Sequence, residues 1–202
     1  MPNLIGRSPN QVPVNGMLGT AAFVDIGQIP QYTQASYGLV PIVSLTPTAV
    51  VNLDFLTLFT SQYDNYLIIG EGIKFAADDG VSLRVAVAGV VDTGSNYHQM
   101  SNAAGNTSTP VSSVAITSGS LRTAGNGATF SIDIQNTNDS SQTKMIEYHA
   151  VSHTTVAGPV YTYFSAAIAH AGSVLTGFRL YSVLGSNFAA QGKIRVFGYN
   201  NV

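Results

Sequence analysis

The strongest constraint on the fold is a period-two alternation of apolar and polar residues that recurs along most of the chain. The clearest case is Ala128–Gln135, where every second residue is a large apolar one: Phe130, Ile132 and Ile134. Successive side chains of a strand point to opposite faces, so one face of this segment belongs in a core and the other in water. The same reasoning predicts seven further strands: Ala49–Phe55, Tyr63–Glu71, Val81–Val87, Lys144–Val151, Tyr161–Ala169, Ser173–Ser182 and Lys193–Phe197.

Turn-forming residues separate these strands, as at Asp78–Gly80, Ala124–Gly127 and Ala171–Gly172. A short turn of helix is expected only at Thr20–Asp25. About eight strands without intervening helices predict an all-β fold, an antiparallel β-sandwich of jelly-roll type. Proline-rich residues 26–47 do not fit a sandwich core, so we predict a docking arm and linker over residues 1–47 and the sandwich over 48–202.

The composition predicts self-association. The 202 residues suffice for one all-β domain with an appended arm. Only 9% of the residues are charged, against about 25% in ordinary globular proteins. A surface with so few charges is neutral and polar or is covered by other subunits, and we expect a homo-oligomer, specifically a trimer.

Several functional classes are not expected from this composition. The formal net charge is −2 and the eight basic residues are scattered singly, so no basic stripe opposes a row of phosphates. Cysteine is absent, which excludes disulfides and thiolate metal sites. No stretch has the ~20 apolar residues of a spanning helix, and no signal-peptide pattern is present. We therefore expect no nucleic-acid partner, no membrane insertion and no export by signal peptide.

The first twenty-five residues have the pattern of an extended docking arm. Pro2, Pro9 and Pro13 fix φ and remove backbone donors, which argues against a continuous helix or central strand. The segment is nevertheless too apolar for a solvated tail, so it should lie on a partner surface. The residues predicted to dock are Leu4, Ile5, Pro9, Asn10, Gln11, Val12, Pro13, Asn15, Gly16, Leu18 and Gly19.

The string Pro9–Pro13, followed by Asn15–Gly16 and Leu18–Thr20, resembles the N-terminal segment of many tailed-bacteriophage virion proteins, above all tail fibres and related appendages. Two body segments, Tyr63–Ile69 and Gly192–Asn200, are also similar to strands of phage fibre and appendage sandwiches. The resemblance implies a virion structural protein that is assembled in the host cytoplasm. It would be a tail-fibre-like or receptor-binding appendage that is anchored to the tail or baseplate by its arm.

A capsid decoration or cement protein is the alternative within the same resemblance, with an arm that clamps neighbouring major capsid proteins. A fibre normally has a long repetitive shaft between anchor and tip, and this chain has almost none. Both roles imply other virion proteins as partners.

The segment Val90–Ser95 resembles the active-site string of aspartic proteases, in which two carboxylates share a proton. Only one copy occurs, so a dimer would have to supply the second aspartate. Asp92 is equally suited to a turn in which its carboxylate caps backbone amides, and we favour that interpretation. No nucleophile elbow and no phosphate-binding glycine loop is present, so we expect neither enzymatic activity nor a cofactor.

Two groups of residues carry side chains of the kinds that bind metals. His149 and His153 are four residues apart, with Glu147 as a possible third ligand, but surface histidines on a strand are the simpler account. Asp78–Gly80 offers two carboxylates, fewer oxygen ligands than calcium requires, and we expect a solvated turn there. We therefore predict no metal.

The longest predicted loop, Asn96–Ser120, is rich in Asn, Ser and Thr. Such loops often carry binding functions. At its start, aromatic and amide side chains could stack on and hydrogen-bond a sugar, which makes a host-surface glycan a candidate partner. Tyrosines buried in a subunit interface are the alternative. The candidate receptor residues are Asn96, Tyr97, His98 and Gln99.

Overall fold

The computed structural model of the chain describes residues 11–13, 23–25, 38–100, 108–117, 127–155, 159–170 and 172–199. It divides into two units, Met1–Tyr37 with Val202, and Gly38–Asn201. Within the described residues the regular structure consists of fifteen β-strands and no helix. These ranges accordingly contain no helix with the length and apolarity needed to cross a membrane.

In the first unit, β1 (Gln11–Pro13) pairs antiparallel with β2 (Phe23–Asp25). The expected helical turn at residues 20–25 is therefore wrong for its last three residues, because Phe23 and Val24 favour a strand once a partner strand supplies hydrogen bonds. Of the predicted docking residues, Gln11, Val12 and Pro13 form β1. The others lie outside the described residues: Leu4, Ile5, Pro9, Asn10, Asn15, Gly16, Leu18 and Gly19.

The second unit contains two antiparallel sheets. Its strands are β3 (Leu39–Leu45), β4 (Asn52–Phe55), β5 (Tyr66–Ile73), β6 (Val81–Val87), β7 (Val90–Val91), β8 (Tyr97–Met100), β9 (Ser108–Val111), β10 (Val114–Ala115), β11 (Ala128–Gln135), β12 (Lys144–Thr155), β13 (Pro159–His170), β14 (Leu175–Ser182) and β15 (Lys193–Tyr199). The eight-stranded sheet has the order β3-β15-β5-β11-β12-β13-β8-β9. The five-stranded sheet has the order β10-β6-β14-β4, with β7 also paired to β6.

The inner faces of the two sheets share one hydrophobic core, to which β5, β11 and β15 contribute from the larger sheet and β6 and β14 from the smaller. Phe59, in the loop between β4 and β5, stacks on Tyr66 of the larger sheet at 4.1 Å and on Phe178 of the smaller at 5.7 Å between ring centroids. The all-β, sandwich-like fold is confirmed. The jelly-roll connection pattern stays a prediction.

All eight strands predicted from the alternation are present, and the limits of β6 and β11 coincide with the predicted ones. The prediction that residues 39–45 belong to a linker is not met, because they form β3, which pairs with β15. β3 is an edge strand, so Pro41 needs no partner on its outer side. The sandwich unit begins at Gly38, not at residue 48.

The prediction of one long loop over Asn96–Ser120 is also corrected. This segment contains β8, β9 and β10, and β8 pairs with both β9 and β13. β9 is a polar edge strand that lacks the apolar alternation by which strands were recognised. Residues 101–107 and 118–120 lie outside the described part of the chain.

Candidate functional site

Two loops lie side by side at the end of the sandwich where β5 begins and β11 ends. One, residues 56–65, connects β4 to β5, and the other, residues 136–143, connects β11 to β12. The backbone amide and hydroxyl of Thr137 both donate to the carbonyl of Asp64, at 2.8 and 3.0 Å. The backbone amide of Asn136 donates to Asn65 Oδ1 at 3.0 Å. The two loops therefore hold each other in place.

The side chain of Asn138 strengthens this contact. Its Nδ2 donates to the carbonyl oxygens of Tyr63, at 2.6 Å, and Thr60, at 3.1 Å, and lies 3.3 Å from Asp64 Oδ1. Asn136 has a φ of 61°, in the left-handed region that asparagine tolerates better than most residues. The second loop is thus fixed by the left-handed backbone of Asn136 and by the hydrogen bonds of the Asn138 amide to the first loop.

Lys144, the first residue of β12, supports the second loop from inside. Its side chain is fully buried, and its Nζ donates to the carbonyl oxygens of Asp139 and of Gln142, the latter at 3.0 Å. Desolvation lowers the pKa of Lys144, and the nearby Asp139 carboxylate offsets part of that effect. The buried ammonium group thus hydrogen-bonds two backbone carbonyls of this loop.

The carboxylate of Asp139 faces the other way and is ionised at neutral pH. Its Oδ1 accepts hydrogen bonds from the hydroxyl of Ser141 at 2.6 Å and from the Ser141 backbone amide at 2.8 Å. These hydrogen bonds hold the pKa of Asp139 below its usual value. The group therefore acts as a hydrogen-bond acceptor and not as a donor.

The two loops enclose an open cleft of about 510 Å³, which we call the polar cleft. This volume lies within the ~300–1,000 Å³ range of small-molecule sites. Every described residue that lines the cleft is polar and two of them are aspartates, so these residues can bind a ligand through hydrogen bonds but offer no apolar or aromatic platform. Its lining consists of Asp64, Asn65, Asn136, Asn138, Asp139 and Ser140.

The sequence pattern gave little reason to single out the polar cleft. Asn, Asp and Ser after a strand are ordinary turn residues, and the run from Asn136 to Ser141 reads as a solvated connection. The one sequence feature that could have indicated the cleft is a second short polar stretch, Asp64–Asn65, just before β5. Only the pairing of β5 with β11 brings the two stretches together.

Asp92 caps the turn that was predicted for it. Its Oδ1 accepts from the Gly94 backbone amide at 2.8 Å, and its Oδ2 accepts from Asn96 Nδ2 at 2.8 Å and lies 2.7 Å from His170 Nε2. Burial raises the pKa of Asp92, but the hydrogen bonds from Asn96, His170 and Gly94 outweigh it, so the net pKa is lowered. The amide-capping interpretation is confirmed, with a buried histidine as an unforeseen partner.

Tyr97 corrects the expectation of a sugar-stacking ring at the start of the long segment. It is fully buried, its hydroxyl accepts from the Val85 backbone amide at 2.9 Å and donates to the Asp92 carbonyl at 3.0 Å. Its ring meets His170 edge-on at 5.0 Å, and burial raises its pKa. Its OH bonds the five-stranded sheet, so Tyr97 is a core residue.

The other three predicted receptor residues lie in or just before β8, beside Tyr97. Asn96 is exposed, but its amide is bonded to Asp92. His98 is half-buried in β8 opposite Pro110, and Gln99 stands in register between Ile168 and Thr109.

The candidate metal ligands are placed apart from the polar cleft. Glu147 and His149 are exposed on β12, and His153 stands opposite Tyr161 in register. Among the described residues, no group of three or more His, Cys, Asp or Glu side chains is arranged to hold a metal ion.

The expected solvated turn at Asp78–Gly80 is wrong at Asp79, which is fully buried. Its carboxylate accepts from the backbone amides of Gly80, Leu184 and Ser186 and from the Ser182 hydroxyl. Burial raises the pKa of Asp79, but these hydrogen bonds outweigh it and the net pKa is lowered. Asp79 therefore fixes the conformation of the loop that follows β14 by accepting hydrogen bonds from its backbone.

Comparison of the chain with protein-family models, with curated proteins and with solved structures gave no match. The functional argument therefore depends on the residues and geometry described above.

Proposed function

We propose that the chain is a structural protein of a tailed-phage virion, a tail-fibre-like or receptor-binding appendage anchored to the tail or baseplate by its N-terminal arm. The observation that carries the proposal is the polar cleft, a pre-organised hydrogen-bonding surface at the loop end of a rigid sandwich. Loops on such scaffolds commonly hold recognition sites. The resemblance of Pro9–Thr20 to the N-terminal segments of phage appendages supports the same role.

The exposed apolar residues of the sandwich support assembly with other chains. Leu184 is 72% exposed and Val90 69% exposed, and the chain carries few charges to keep such surfaces apart. We propose a homo-oligomer, most simply a trimer, bound to other virion proteins. Light scattering of the purified protein tests this part, and a monomer of 21.1 kDa in concentrated solution would contradict it.

A capsid decoration or cement protein is the second candidate. The observation in its favour is that the sandwich unit begins at Gly38, so only residues 26–37 separate it from the predicted arm, too few for a long fibre shaft between the two. In this role the arm would clamp neighbouring capsid proteins and the polar cleft would have no part in adsorption.

A density map of whole particles, with the chain located by a tag at its C terminus, separates the two roles. The appendage proposal expects the chain at the tail or baseplate, and removal of residues 1–25 should abolish its incorporation while the sandwich remains folded. Location on the head, with fragile heads and normal adsorption in its absence, would favour the cement role. Absence from particles would contradict both.

A further inference from the structure

Three residues that line the polar cleft, Asn65, Asn138 and Asp139, are each held by at least one hydrogen bond and keep further hydrogen-bonding capacity for a ligand. Asn65 uses Oδ1 to accept from Asn136, Asn138 uses Nδ2 to bind the neighbouring loop, and Asp139 uses Oδ1 to accept from Ser141. Within the described part of the chain, Asn65 Nδ2 and Asn138 Oδ1 accept or donate no hydrogen bond, and the exposed Asp139 carboxylate has more acceptor sites than its bonds from Ser141 and Gln142 use. The loops are therefore held in place by some of their polar atoms, while other donors and acceptors are available to a ligand.

The remaining groups match a ligand that both donates and accepts hydrogen bonds. Asn65 Nδ2 is a donor, Asn138 Oδ1 and Asp139 Oδ2 are acceptors, and the exposed Ser140 hydroxyl is both. Sugar hydroxyls have the same dual character, and a cleft without apolar lining favours a ligand covered with them. Because the loops are fixed before binding, little ordering entropy opposes the contacts.

The charges of the polar cleft select against acidic ligands. Asp64 and Asp139 contribute two carboxylates, and Asp139 is ionised at neutral pH. Lys144, the buried cation of the second loop, directs its ammonium group to two backbone carbonyls, so it is not positioned to donate a hydrogen bond to an anion in the cleft. A sialylated, sulfated or phosphorylated ligand would be repelled by the ionised Asp139 carboxylate.

We propose that the polar cleft binds a neutral, hydroxyl-rich saccharide through direct hydrogen bonds. The inference rests on the proposed function only where it takes this saccharide to be part of the host surface. Binding itself is a property of the purified protein and can be measured without particles.

The full-length protein should be applied to an immobilised panel of neutral oligosaccharides containing glucose, galactose, mannose, rhamnose or N-acetylglucosamine, together with sialylated and uronic-acid analogues. The strongest neutral ligand is then titrated in solution by calorimetry. We expect binding of at least one neutral saccharide, weaker binding of its acidic analogue, and no effect of EDTA, because the contacts are direct.

Two variants place the binding in the polar cleft. Ser140→Trp fills the cleft from an exposed position and should weaken binding by about tenfold or more, a loss of ~1.4 kcal/mol. Asp139→Asn replaces an acceptor with an amide and should also weaken it. Asn187→Trp is the matched control, because Asn187 is exposed and bonds Ala76 beyond the end of β5, at the opposite end of the sandwich. Its affinity should equal that of the wild type.

Failure to bind any neutral saccharide, preference for the acidic analogues, loss of binding in EDTA, or undiminished binding by the correctly folded Ser140→Trp and Asp139→Asn proteins would each overturn the inference. The two proposals fail separately. A chain located at the tail that binds no saccharide refutes only this inference, whereas saccharide binding by a chain located on the head refutes only the appendage role.

Discussion

His170 Nε2 lies 2.7 Å from Asp92 Oδ2, and this pair connects the end of β13 in the eight-stranded sheet to the segment that follows β7 in the five-stranded sheet. The His170 side chain is 2% exposed and that of Asp92 15%. Across the larger sheet, Lys144 stands opposite His170, and His170 opposite Tyr97. At the end that carries the polar cleft, the two sheets are thus joined by the hydrogen-bonded Asp92–His170 pair as well as by apolar packing.

The Asp92–His170 pair should make stability depend on acidity. The pKa of Asp92 is lowered in the folded protein, so its ionised form stabilises the fold above the ordinary carboxyl pKa near ~4. That contribution is lost as pH falls through the lowered pKa. Asp92→Asn should destabilise the protein by about 1–3 kcal/mol at pH 7, and the difference from wild type should shrink below pH ~4. Urea unfolding of both proteins from pH 7 down to below pH ~4 measures the difference in their free energies of unfolding. A difference that does not change with pH would contradict the argument.

Replacement of Asp79 by Ala should be among the most damaging carboxylate substitutions in the sandwich. It leaves three backbone amides and a hydroxyl without their acceptor in a buried site. We expect a loss of about 3 kcal/mol or more. Asp54→Ala is the matched control, because Asp54 is exposed and its bidentate pair with Arg179 is worth at most about 1 kcal/mol. If denaturant melts show equal losses of unfolding free energy for the two variants, burial of the carboxylate does not determine its contribution to stability.

Two truncations test where the sandwich begins. Removal of residues 1–37 should leave a protein that unfolds cooperatively, since all strands of the second unit remain. Removal of residues 1–47 also deletes β3. This leaves the edge of β15 without a partner strand and removes the packing of Val40, Ile42 and Leu45 against the core. That protein should melt at lower temperature or aggregate. If the two truncated proteins behave alike in calorimetry, β3 is dispensable.

Glycine at position 177 is required by the close approach of two strands. A Cβ there would lie 1.9 Å from the carbonyl oxygen of Phe55, a backbone atom of the neighbouring β4. Gly177→Ala should therefore cost about 3 kcal/mol by forcing β14 and β4 apart. Gly185→Ala meets no atom within 4 Å but has a φ of +90°, and should cost only about 1 kcal/mol. Thermal melts of both proteins would rank them, and a reversed order would disprove the contact argument.

The polar cleft was not predicted from the sequence, for the same reason that Tyr97 was wrongly predicted to be an exposed receptor residue. Asn136 and Asn65 are 71 positions apart in the sequence, and nothing local to either indicates that they are hydrogen-bonded. Conversely, Tyr97 lies in a polar stretch that suggests exposure, but the pairing of β8 with β13 turns its side chain into the core. In both cases the environment of a side chain depends on which distant strand lies beside it.

The sequence by itself determined the elements whose signal is local. Alternation of large apolar and polar residues identified eight of the strands and located β6 and β11 to the residue. The tertiary structure decided everything that depends on strand pairing: the use of residues 39–45 as an edge strand, the burial of Asp79, the contact of Asp92 with His170, and the cleft between the two loops. A strand's pattern records its exposure to water, whereas its neighbours are chosen by the packing of the whole chain.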